Sequence, residues 1–421
     1  MKNIVICCDG TGNEISENIS NVLKLYRCLR KTPKTEPHQM VFYDPGVGTL
    51  ARPDPWGKLW QDTITVLGLA TGYGLDDNVL AAYAFLVDAY EDGDHIYLFG
   101  FSRGAYTVRV LAGLIHKVGL VLPQQANLAG SGLTAYKQFS IADPQPATRD
   151  DPRQSGETDD EDDEQGEPAT RDDGAAQFAR ILSVRWPTIH FVGVWDTVAS
   201  VIVPRPDRFY LPSLEELAFT RNNPSIKIFR QAIAIDERRR MFRLQKWDDG
   251  GTFMRNRFSQ TNNSEDQDSK QVWFTGVHGD IGGGHPEIES ALSKYPLIWM
   301  IEEAVDAGLA VIRQTVNHLA WGVPRKGSPF SYVAPDFKSK PHDSMTLPWR
   351  ILEYIPKSDT YKEWPARNSR YGFYIPDAEP RPIPEEAFIH ESVVRRMGAV
   401  PGYQPVNLPA RYQTVPMPVE P

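Results

Sequence analysis

Residues 95–119, HIYLFGFSRGAYTVRVLAGLIHKVG, constrain the fold more than any other stretch of the sequence. The apolar run 96–99 reads as a buried strand, Val108, Leu111, Ala112 and Ile115 recur at helical spacing, and only Gly100 to Gly104 separate the two. A strand that passes into a helix over so few residues is the building unit of a parallel sheet covered by helices. The same alternation runs through the chain. KNIVICC ends in the turn Asp9-Gly10-Thr11-Gly12-Asn13, helix-period residues follow over 19–29, and QMVFYDPGVGT gives a short strand broken by Pro45 and glycines. Leu75, Val79, Leu80, Tyr83, Leu86, Val87 and Tyr90 keep helical spacing. TIHFVGVWDTVASV, IKIFRQAIAIDERR and QVWFTGVHGDIGGGH each read as a strand running into a polar or glycine-rich loop, and 290–307 as a helix. The expected class is α/β, with a mostly parallel central sheet and helices on both faces.

With 421 residues, 41% apolar and 24% charged, the chain can bury a sizeable core. Two stretches depart from the pattern. Residues 141–175 are almost devoid of apolar side chains and repeat PATRDD at 146–151 and 168–173. Such composition cannot offset chain entropy by burial, which predicts a disordered acidic surface insertion; the other reading makes 146–173 a docking segment for a partner. Twelve acids against two arginines between 150 and 173 account for the formal charge of -9, so the remainder is close to neutral. No basic run interleaved with aromatics appears, so nucleic acid is not an expected partner. Half of the 34 prolines lie from Pro324 to Pro421. The expected organisation is a catalytic domain over 1–310 and a proline-rich extension over 311–421 that wraps the sheet or forms a lid. Three cysteines, Cys7, Cys8 and Cys28, suit small core residues in a reducing compartment. The apolar opening is too short for a secretory signal and no run spans a bilayer, so a cytoplasmic setting with at most peripheral membrane contact is expected, signal-independent secretion staying open.

The chemistry concentrates at the ends of the strands. Gly100-Phe101-Ser102-Arg103-Gly104 is a G-x-S-x-G between strand and helix, a context that exposes a nucleophilic hydroxyl at a helix N-terminus. Serine needs a base, and the base needs an acid to orient it. Asp196 follows one later strand and His278 another, in the order serine, acid, histidine. His285 lies beyond three glycines in the same loop and is the secondary base candidate. Two backbone donors would hold an oxyanion: the N–H of Arg103, and one from the Gly10-Thr11 turn. D-x-D-G-T chemistry is set aside because Cys7 stands where its second aspartate would be. This reading needs no cofactor and no metal. Two others remain: a metal-dependent hydrolase with Asp9, Asp196, His278, Asp280 and His285 as ligands, and a non-catalytic interaction module.

CDGTGN at 8–13, FYDPGVGT at 42–49, the run 74–115, FVGVWDTVAS at 191–200, AIAIDERRRMF at 232–242 and VWFTGVHGDIGGG at 272–284 occur in that order. On these motifs the chain resembles the DUF2235 family, also described as the catalytic domain similar to Tle1 phospholipase effectors of type VI secretion, over about residues 1–310. The resemblance implies an α/β-hydrolase-like fold, Ser102 as nucleophile with Asp196 and His278 completing a triad, and hydrolysis of acyl esters of phospholipid or lipid-like substrates. The acidic repeat and the proline-rich end are departures from it.

Overall fold

The structure is a computed structural model that describes residues 1–10, 18–46, 74–142, 173–198, 202–204, 212–214, 217–255, 264–359 and 362–421. Eight strands form the central sheet: β1 (Asn3–Cys8), β2 (Gln39–Asp44), β3 (His95–Phe101), β4 (Ile189–Trp195), β5 (Ile226–Ala234), β6 (Asp268–Phe274), β7 (Ala387–His390) and β8 (Tyr412–Val415). Their spatial order is 2-1-3-4-5-6-7-8, and every neighbouring pair is parallel. The expected α/β class with a mostly parallel sheet is therefore what the chain adopts.

Alternation along the strands sorts the core into two layers. Ile4, Ile6 and Cys8 of β1 face a cluster with Val79, Tyr83 and Leu86 of the helix Leu75–Ala89 and with Val108, Leu111 and Ile115 of the helix Arg103–Val118. Val5 and Cys7 face the other way, onto Val22 and Leu25 of the helix Asn21–Cys28 and Leu297, Ile298 and Ile301 of the helix Lys294–Asp306. This last helix begins later than its apolar residues suggest. Ser290 and Ser293 first close two short turns, through Ser290 N–H to Glu287 O and Ser293 N–H to Ser290 O, both 3.1 Å.

The proline-rich stretch contributes to the sheet as well as covering it. β7 pairs with β6 through Val272 and Phe388, β8 pairs with β7, and Ile389 and Val393 share a third apolar cluster with Ile233 and Trp273. Of the insertion expected over 141–175, residues 143–172 lie outside the described residues; its ends are helical, 141–142 closing the helix Ala129–Ala142 and Asp173 accepting from the N–H groups of Ala175 and Ala176 at the start of the helix Gly174–Leu182. No helix among the described residues is long and apolar enough to cross a membrane.

Strand order reverses between β1 and β3, and ligands of open parallel sheets bind outside the carboxyl ends at such a point. Asp9 follows β1, Ser102 follows β3, Asp196 follows β4, and the loop carrying His278 follows β6, all at that one edge.

Candidate active site

Ser102 joins β3 to the helix Arg103–Val118 with φ 56°, in the left-handed region that a side chain rarely adopts. Two close approaches enforce the turn. A Cβ on Gly100 would lie 2.4 Å from the carbonyl oxygen of Gly104, and one on Gly104 would lie 2.1 Å from that of Cys8 and 2.5 Å from that of Asp9. The first helical turn is thus pressed onto the end of β1. The N–H of Ser102 donates to Trp195 O at 3.1 Å, while its side chain caps no helical N–H. Ser20 contrasts with it, because that hydroxyl caps Leu23 N–H at 3.0 Å and donates to Asp9. Alanine in a helix is ordinarily about 1 kcal/mol better than glycine. Gly104→Ala is expected to reverse that sign and cost about 3 kcal/mol in denaturant unfolding, since the clash is with backbone that cannot rotate away.

Asp196 leaves β4 at φ 39° and is fully buried. Its Oδ2 lies 2.5 Å from His278 Nδ1, and its Oδ1 accepts from Ala234 N–H at 3.0 Å. Arg381 grips the same carboxylate with both terminal nitrogens, at 2.6 Å to Oδ1 and 3.1 Å to Oδ2. Burial alone would raise this carboxyl. The Arg381 guanidinium, followed by His278, outweighs it and holds the group well below the usual carboxylate range. Arg381 is itself buried and donates to Ala234 O and Phe242 O, at 3.2 and 2.7 Å.

His278 opens a five-residue helix, His278–Gly282, after the turn Thr275-Gly276-Val277 that follows β6. Its ring sits against Phe101 and Phe242, with centroids 4.7 and 4.8 Å away, and its backbone N–H donates to Glu237 Oε2 at 3.1 Å. Glu237 is buried; desolvation opposes its charge, but Arg239 and then Arg381 bring its carboxyl down to about 2. A buried ring with one nitrogen on a carboxylate presents its other nitrogen in a fixed direction, which is what a general base requires.

The remaining residues singled out by the sequence separate into distinct groups. Asp9 accepts from Tyr43 OH at 2.9 Å and from Gly10 N–H at 2.7 Å. Arg103 is the first residue of the helix after Ser102, and burial lowers its side chain to about 10. Thr11 lies outside the described residues. Asp280 and His285 turn toward His342, not toward Asp196 and His278. The five ligands of the metal-hydrolase reading therefore do not converge as one set. Arg381, Glu237, Phe242 and His342 were not singled out by sequence reasoning. Glu237 stood in the noted Asp236-Glu237-Arg238-Arg239 stretch, whereas Arg381 and His342 lie among prolines with no periodicity to mark them.

A parallel sheet with a strained serine between β3 and its helix, and a His–Asp pair at later strand ends, is the α/β-hydrolase-like class. Residues 2–303 match the family described as T6SS, phospholipase effector Tle1-like, catalytic domain, and the chain belongs to that family. It is 30% identical over 247 residues to the uncharacterized protein YEL023C of Saccharomyces cerevisiae, covering 58% of this chain and 32% of that one. Among solved structures it is similar to an uncharacterized protein from Pseudomonas aeruginosa, at 17% identity and TM-score 0.37, over 75% of this chain and 47% of that one. It is also similar to the Tle1 effector bound to the VgrG spike from the type VI secretion system, at 17% identity and TM-score 0.31, over 69% and 52%. The chain thus spans about a third of the curated relative and about half of each solved chain.

Proposed function

We propose that this protein is a serine hydrolase that cleaves acyl esters of phospholipid or lipid-like substrates. The observation that carries the reading is the Ser102 turn, where two glycines admit no side chain and the hydroxyl is not engaged in capping the helix behind it. Such strain persists only where the surrounding structure over-determines it, and it clusters at functional sites. Ser102 Oγ attacks the ester carbonyl as His278 takes its proton; Asp196 holds the ring and stabilises the imidazolium. The Arg103 N–H and a donor of the Gly10-Thr11 turn hold the oxyanion, Gly10 exchanging its bond to Asp9 for one to the substrate. Collapse of the tetrahedral intermediate expels the alcohol, which takes the proton from His278, and water repeats the sequence to release the acid. Family membership supports the lipid class of substrate.

Covalent labelling tests the reading. A fluorophosphonate should modify the full chain at Ser102, and a panel of p-nitrophenyl esters and phospholipids should be turned over equally with and without chelator. Absence of labelling together with chelator-sensitive turnover would overturn it in favour of metal-assisted hydrolysis.

A further inference from the structure

Asp280, His285 and His342 form a group of three such side chains, among the described residues, with one ligand atom from each lying within 4.8 Å of the others. We propose that these three residues bind a divalent first-row metal ion, zinc(II) foremost, which fastens the segment around residue 342 to the glycine-rich loop after β6.

His285 and His342 stack face to face, with centroids 3.5 Å apart and planes within 7°. Imidazole lone pairs lie in the ring plane, so the two histidines can share one ion only after one ring turns about its χ2. Rings in such contact cannot both carry a proton cheaply. A neutral imidazole offers a lone pair. His285 Nε2 is buried with no hydrogen-bond partner, and it lies so close to the main chain that a Cβ on Gly279 would be 2.3 Å from it. A buried polar atom without a partner calls for an explanation, and an ion supplies one.

The other two ligands are held in place by their neighbours. Asp280 is buried; its Oδ2 accepts from Val277 N–H at 3.0 Å and His342 N–H at 3.2 Å, which leaves Oδ1 facing His342 Nδ1 at 2.6 Å. The far nitrogen of His342 meets Glu289 at 3.1 Å. A carboxylate on the outer nitrogen of a histidine fixes its tautomer and raises its basicity as a metal ligand. Two imidazoles and one carboxylate are the donor set of a zinc site with an open position, and they disfavour calcium or magnesium, which take oxygen ligands.

The site is apart from the His278–Asp196 pair, although Asp280 is two residues beyond His278. Its failure would leave the serine mechanism untouched, and the reverse also holds. The full chain, stripped with chelator and desalted, would be given zinc alone, and retained metal and Tm would be measured. About one zinc per chain and a raised Tm are expected. His342→Gln and His285→Gln should each weaken zinc binding at least about tenfold and remove the rise in Tm. His95→Gln is the control, because it breaks a different stacked pair, His95 on His190 at 4.2 Å, and should retain the metal. No retained zinc in the wild type, or equal zinc in His342→Gln, overturns the proposal in favour of a plain ion pair between His342 and its two carboxylates. Should the variants fail to fold, cobalt(II) added to the wild type reads the ligands directly: visible bands of imidazole-bound cobalt support the site, and their absence overturns it.

Discussion

Ser102→Ala is expected to lower kcat/KM by about a thousandfold or more while shifting unfolding stability by less than about 0.5 kcal/mol. The two effects separate because of what this side chain does and does not touch. Its hydroxyl caps no N–H of the helix behind it, and its backbone is held at φ 56° by the Gly100 and Gly104 contacts whichever small side chain stands there. Alanine thus keeps the turn and loses only the nucleophile. His278→Ala should fall as far, and the double variant no further, because groups acting in one proton relay are not additive. His285→Ala should keep measurable turnover, since its ring lies against His342 and not on Asp196. An active, folded Ser102→Ala chain would sink the serine mechanism. Loss in His285→Ala equal to that in His278→Ala would move the base.

The sheet and the placement of Ser102, Asp196 and the His278 loop at the ends of its strands were legible in the sequence because each is written locally. β1, β3 and β4 are largely apolar runs and β6 ends in one, stopping at Asp9, Ser102, Asp196 and the His278 loop, and a parallel sheet brings such stops to one edge. What holds Asp196 was not legible. Arg381 lies 185 positions further on and is recognisable only as one charge between prolines. The same holds for His342, which reaches Asp280 from a stretch that forms neither helix nor strand. β7 and β8 are four residues each, too short to show a period, and β7 joins the sheet through β6, a strand far back in the chain, with β8 added beside it. Contacts of this kind are fixed by where the fold returns the chain, and no spacing rule announces them.

Arg381 is where that return bears most on chemistry, and Arg381→Met is expected to affect both stability and rate. Its two terminal nitrogens meet both oxygens of Asp196, and neither partner is exposed to water. Removing the guanidinium alone leaves a buried carboxylate with His278 and one backbone N–H, and breaking a buried pair on one side costs about 3–5 kcal/mol. The pH dependence follows from the direction of the shift. In the wild type the folded carboxyl lies below its unfolded value of about 3.9, so its contribution to stability is present above that pH and is lost as pH falls toward the folded value. Without Arg381 the burial that now opposes ionisation is less compensated, and the carboxyl moves upward. Protonated Asp196 cannot stabilise the imidazolium, so kcat should drop about a hundredfold with KM little changed, and the acid limb of kcat should move to higher pH. A purely structural arginine would lower Tm without moving that limb. Arg381→Lys, which restores the charge without the two-pronged geometry, should return the limb toward its wild-type position while recovering only part of kcat. If kcat and its acid limb are unchanged in a folded Arg381→Met chain, the guanidinium merely packs beside Asp196 and does not position it.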